Sequence, residues 1–203
     1  MRRDRPMPSL LLALLVATGC TAPPADESAQ PQASVSAREA PPPSVRPTNP
    51  DSVEPRDPSR TWVVLLGTGT PGSEPDRSGP STAIVTGGNA YLIDAGPGVV
   101  RQAAAGAIVS GLTALYPANL RVAFFTHLHS DHTLGYPDLI LSPWVLGRSE
   151  PLRVYGPPGL DAMTTALLQA YQEDIRARVE GPEQLRRDQL EVQTHEVGPG
   201  LFF

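Results

Sequence analysis

Three of the four histidines fall within six residues, in the segment Thr126-His127-Leu128-His129-Ser130-Asp131-His132, directly after an apolar run at 121–125. A short apolar run of this kind reads as a buried strand, and strand exits are where α/β proteins place their sites. Neutral imidazoles and carboxylates are the donors that zinc and related divalent cations select. In an extended segment His127 and His129 share one side and can face a single cation. Asp131 and His132 come after the chain bends toward the next helix and can address a second. A lone His-x-His pair occurs in several metal-dependent folds; the added Asp-His makes the pattern specific. A helix-capping or solvated role suits one histidine better than four donors at this spacing.

That strand needs a sheet to join and helices to cover it. Residues 62–66 are an apolar, β-prone run that ends at Gly67-Thr68-Gly69-Thr70-Pro71. Residues 81–86 and 90–93 read as paired strands around the hairpin signal Gly87-Gly88-Asn89. Residues 99–112 carry apolar positions at helical spacing, and 137–146 predict a second helix with Pro143 near its end. Residues 152–155 form another strand. Leu160, Met163, Leu167, Leu168, Tyr171 and Ile175 mark one face of a further single helix, and 190–197 is the last strand. Strands alternating with helices predict an α/β protein. Gly67, Gly69, Gly96 and Gly98 suit close backbone approach or positive φ. A phosphate cradle is disfavoured, because neither a lysine nor a complete P-loop pattern accompanies them. Trp62 and Trp144 read as packing residues.

Composition confines this fold to residues 61–203, since half of the 24 prolines lie before residue 61. Arg2, Arg3 and Arg5 precede an apolar stretch at 10–17, followed by Thr18, Gly19 and Cys20, the sole cysteine. The stretch is shorter than the roughly 20 residues that cross a bilayer. Residues 1–20 therefore predict a lipoprotein signal peptide, similar to a lipobox with Ala17 in place of the usual leucine. An ordinary secretory signal with an incidental cysteine is the alternative. On the first reading Cys20 is lipidated and anchors an exported protein in the bacterial cell envelope, with residues 21–60 as a disordered tether. The net charge of -5 sits wholly in the folded part. An acidic domain lacks the broad basic field that draws proteins to polynucleotides, so nucleic acid is an unlikely partner on this ground.

The segment His127-x-His129-x-Asp131-His132 resembles the signature of the metallo-β-lactamase superfamily. Residues 66–71, the loop Pro75-Asp76-Arg77-Ser78-Gly79-Pro80-Ser81, Ile93-Asp94-Ala95-Gly96 and Tyr155-Gly156-Pro157-Pro158-Gly159 are together similar to its ribonuclease Z-like branch. The resemblance implies an αββα sandwich, of which 61–203 is the N-terminal portion, incomplete at the C-terminus. It implies two zinc ions, with manganese or iron possible: the first on His127 and His129, the second on Asp131 and His132. Asp131 is also the candidate catalytic residue, orienting or deprotonating a water. Asp94, Gly67 and Gly69 would support the site. The family needs three further donors downstream, and His195, inside a strand-like run, reads as a strand residue. Two imidazoles leave the first ion short of the three protein ligands usual in catalytic sites, so the 203 residues alone are expected to bind metal weakly and turn over little. The implied activity is hydrolysis of a phosphodiester, sulfate ester, lactone or similar small ester by an exported, membrane-tethered enzyme. The alternatives are a ribonuclease Z-like transfer RNA 3′-processing endonuclease and a non-catalytic metal-binding lipoprotein.

Overall fold

The computed structural model describes residues 57, 59–72 and 74–198. Residues 1–20, expected to be a signal segment ending at Cys20, nearly all of the expected tether at 21–60 and the end of the chain from 199 lie outside the described residues. Within them, no helix is long and apolar enough to cross a membrane.

Six strands form one sheet in sequence order: β1 (Trp62–Gly67), β2 (Ser81–Thr86), β3 (Asn89–Ile93), β4 (Val122–Phe124), β5 (Leu152–Gly156) and β6 (Val192–Glu196). The first three are antiparallel and the rest run parallel to β3. A two-residue turn joins β2 to β3, and both its residues, Gly87 and Gly88, have positive φ (54° and 76°), as the hairpin signal requires. The parallel strands need helical crossovers, supplied by α1 (Val99–Ser110), the short α2 (Ser130–Thr133) with α3 (Tyr136–Val145), and α4 (Leu160–Ala170) with α5 (Gln172–Glu180).

Strand alternation decides which face is buried. Ala83, Leu92, Ala123 and Val154 stand in register across the middle of the sheet, and all four are completely buried. The small side chains of Ala103 and Ala107 on α1 join them in the core, each fully buried leucine there contributing about 1.5–3 kcal/mol. On the other face Val63 and Leu65 are 67% and 68% exposed. The described residues thus make one β layer with its helices, the α/β fold expected, and a second sheet is not among them.

One boundary differs from the periodicity. The apolar face running from Leu160 to Ile175 belongs to two helices, because Tyr171 (φ -97°, ψ 12°) breaks the helical path between them. The change of axis buries both Leu160 and Ile175, which tertiary packing rewards and helical spacing alone does not show. The start of α4 lies where the spacing put it and is tied to the last strand: Glu196 Oε1 accepts from the Gly159 and Asp161 N–H groups (2.8 and 3.0 Å), satisfying donors a helix N-terminus leaves free.

Tyr136, fully buried at the start of α3, donates to Thr164 Oγ1 (2.7 Å), since the Thr164 proton is committed to the Leu160 carbonyl (2.9 Å). Burial pushes the phenol up to about 12. A tyrosine in the unfolded chain ionises near 10, so the contribution is complete below that pH and is lost as pH rises through about 12. Two pKa units correspond to roughly 2–3 kcal/mol. In urea denaturation from neutral to strongly alkaline pH, the native protein should therefore lose about that much stability relative to Tyr136→Phe. A constant difference between the two proteins would show that the buried phenol does not resist ionisation.

Candidate metal centre

Strand β4 ends at Phe124, and the chain passes through Phe125 and Thr126 into the histidine segment at the C-terminal edge of the parallel strands. Phe125 N–H still bonds the Tyr155 carbonyl of β5 (2.7 Å), which fixes the direction of exit. The four expected donors lie together. The His127 ring centroid is 4.6 Å from that of His129 and 4.2 Å from that of His132. Asp131 Oδ2 stands 3.5 Å from His132 Nε2, a separation that suits two donors roughly 2.1 Å from one tetrahedral ion.

Asp94 is the hub behind them. It follows β3, is buried, and holds a left-handed backbone (φ 60°), which aspartate tolerates better than most residues. Its Oδ1 accepts from Thr126 N–H (2.8 Å), and the Thr126 hydroxyl lies 3.0 and 2.9 Å from its two oxygens. Its Oδ2 meets His132 Nδ1 at 2.8 Å. Ser81 Oγ grips the Asp94 carbonyl (2.8 Å), and Asp94 N–H binds the Phe124 carbonyl (2.8 Å). With Nδ1 of His132 engaged, Nε2 is the nitrogen left to bind a cation, the usual arrangement of an oriented metal ligand.

Glycines let four loops close on this hub. A Cβ on Gly67 would sit 1.9 Å from the Gly79 carbonyl oxygen, and one on Gly69 2.7 Å from that of Ser78. Gly69 N–H bonds that Ser78 oxygen (2.8 Å), Gly79 N–H the Pro97 carbonyl (3.0 Å), and Ala95 N–H the His132 carbonyl (2.8 Å). The loop after β1 therefore presses on the 78–80 loop, which presses on the loop holding Asp94. His195 lies in β6, exposed, with its ring stacked on Tyr155 at 4.6 Å.

The donors suit divalent metal in chemistry, and the bond from Asp94 turns His132 Nε2 outward, but their arrangement does not yet enclose an ion. Among the described residues no three His, Cys, Asp or Glu side chains are arranged to hold an ion. The four side chains singled out in the sequence are brought together, and Thr126, which sequence reasoning passed over, stands beside them. Its signal was present, a hydroxyl directly before the first histidine, but which carboxylate it meets is a tertiary fact.

The sequence matches the metallo-beta-lactamase superfamily over residues 75–202. The chain belongs to that superfamily. Ribonuclease Z of Mycobacterium sp. (strain KMS) is 42% identical over 142 residues, which cover 68% of this chain and 47% of the relative. Ribonuclease Z of Mycobacterium marinum is 41% identical over 121 residues, 58% of this chain and 40% of that one. The crystal structure of human tRNase Z, short form, has a similar fold, with a TM-score of 0.51 at 24% identity over 70% of this chain and 47% of that one. The chain spans about half the length of the curated relatives it matches.

These relatives correct one expectation of partners. The acidic balance argued against nucleic acid, yet a relative 42% identical to this chain is named as a ribonuclease. Net charge is a sum over the whole chain. A nucleic acid is gripped locally, and cations in a metal centre can meet a phosphate inside an acidic domain.

Proposed function

We propose that this chain is part of a ribonuclease Z-like metallohydrolase that cuts a phosphodiester bond in RNA, with transfer RNA precursors as its substrate class. The observation that carries the reading is the 42% identity to ribonuclease Z relatives. It is supported by the gathered donors His127, His129, Asp131 and His132 and by the buried carboxylate behind them. His127 and His129 would hold one zinc, manganese or iron ion, Asp131 and His132 a second, with further donors completing each shell. Bound there, such ions supply Lewis acidity at a phosphodiester and lower the pKa of a water. Asp131 orients that water and accepts its proton at a carboxylate oxygen. Asp94 keeps His132 turned so that Nε2, and not Nδ1, faces the site.

The test has two readouts. Zinc uptake by equilibrium dialysis should fall at least about tenfold when His127 and His129 are both replaced by alanine, since even outer partners of a ligand are worth 10–100-fold. The whole metallohydrolase of which this chain is part, supplied with metal, should cut a 3′-extended precursor transfer RNA, and Asp131→Asn should slow that cut by about 10²–10⁴-fold, the range of a positioned proton acceptor. Uptake unchanged in the double variant refutes the metal centre. Turnover of generic sulfate or lactone esters with no cut in the precursor refutes the RNA substrate.

A further inference from the structure

We propose that the Thr126 hydroxyl relays the Asp94 carboxylate to His127, so that one buried carboxylate sets the tautomer of two imidazoles, His132 directly and His127 through Thr126. The hydroxyl oxygen lies 2.9 Å from His127 Nδ1 and 2.9–3.0 Å from both Asp94 oxygens. A hydroxyl has one proton to give, so only two arrangements exist.

In the first, the proton points to Asp94 and the oxygen accepts from His127 Nδ1–H. In the second, it points to Nδ1, and the Thr126 oxygen then faces two carboxylate oxygens at hydrogen-bond distance with no proton between them. The second arrangement sets lone pairs against lone pairs. The first makes a hydrogen bond to a carboxylate, roughly twice as strong as a neutral one. The neighbouring Thr126 N–H is already spent on Asp94 Oδ1 (2.8 Å), and it fixes the residue over the carboxylate with the hydroxyl in reach.

The first arrangement therefore holds. His127 carries its proton on Nδ1 and presents a bare Nε2, as His132 does through its own bond to Asp94 (2.8 Å). Valine in place of Thr126 keeps the β-branched shape and the backbone bond but removes the relay, and water then satisfies Nδ1 as donor or acceptor alike. Thr126 is a positioning residue: it acts on a cation only through His127. The inference rests on the metallohydrolase reading only for what the bare Nε2 is used for.

Nitrogen-15 NMR of the metal-free 203-residue chain at mildly alkaline pH reads the tautomers without any ion. His127 is expected as the Nδ1–H form in the native chain and in Thr126→Ser, and as a mixture or the Nε2–H form in Thr126→Val, while His132 is unchanged in all three. Zinc affinity measured by competition with a chromophoric chelator should fall about 10–100-fold in Thr126→Val and less than threefold in Thr126→Ser, the span seen when a ligand loses its outer partner. A native His127 in the Nε2–H form, or a Thr126→Val chain with the native tautomer, overturns the relay. The expected tautomers together with zinc uptake that replacing His127 and His129 by alanine leaves unchanged would uphold the relay and refute the metal reading instead.

Discussion

Gly96→Ala is expected to abolish folding or to cost about 4 kcal/mol or more, the exceptional end of what one substitution does. A Cβ there would lie 2.4 Å from the carbonyl carbon of Gly79, 2.6 Å from the Pro80 nitrogen and 2.7 Å from the Asp131 carbonyl oxygen. All three are backbone atoms, so no side chain can swing aside, and relief requires moving a loop. Gly96 N–H also binds the Pro80 carbonyl (3.0 Å), which resists that movement. One of the three atoms belongs to Asp131 at the start of α2, so a variant that does fold with that segment displaced should bind zinc more weakly than the native chain. Gly147→Ala is the control for glycine as such. Gly147 has φ +97° with nothing within 4 Å of a new Cβ, and the left-handed backbone alone costs about 1–2 kcal/mol. Thermal or urea denaturation compares them, and similar losses at the two positions would refute the steric account.

Arg148→Ala is expected to cost roughly 3–5 kcal/mol, a large share of the 5–15 kcal/mol that holds an ordinary domain. Arg148 is completely buried, and burial draws its pKa down to about 10, as befits an ion taken out of water with no carboxylate beside it. Its place follows from a defect in α3. Pro143 has no N–H to give the Leu139 carbonyl one turn back, and the guanidinium fills that gap, Nη1 donating to the Leu139 oxygen and Nη2 to that of Ile140 (both 3.0 Å). Alanine would leave the Leu139 carbonyl unsatisfied, about 1–3 kcal/mol, and open a cavity where the buried side chain reaches Leu139 and Ile140. Arg148→Met refills the volume and removes the buried charge, so its cost should be well under half that of alanine. The readout is the urea midpoint at unchanged slope. Equal losses for alanine and methionine would assign the effect to the hydrogen bonds and not to packing.

Gly96 and Arg148 differ in how far the sequence foretold them. Gly96 stood in a glycine-rich turn after a strand, and close approach was the natural reading. Arg148 carries no signal of its own in the sequence, because nothing local says that its side chain turns inward toward a proline five residues back. The break at Tyr171 is of the same kind. Helical spacing continued through it, and only the packing of Leu160 and Ile175 into one core explains two axes. The charge argument failed for a different reason, since a sum over residues carries no position.

By itself the sequence determined the alternation of strands and helices, the Gly87-Gly88 hairpin and the clustering of His127, His129, Asp131 and His132. These depend on side-chain period, turn chemistry and neighbours in the chain. The tertiary structure alone decided which carboxylate serves them: Asp94 reaches Thr126 from 32 residues away and His132 from 38. A hydrogen bond needs its atoms within about 3 Å. Only the parallel pairing of β3 with β4, which brings the ends of the two strands side by side, puts them there.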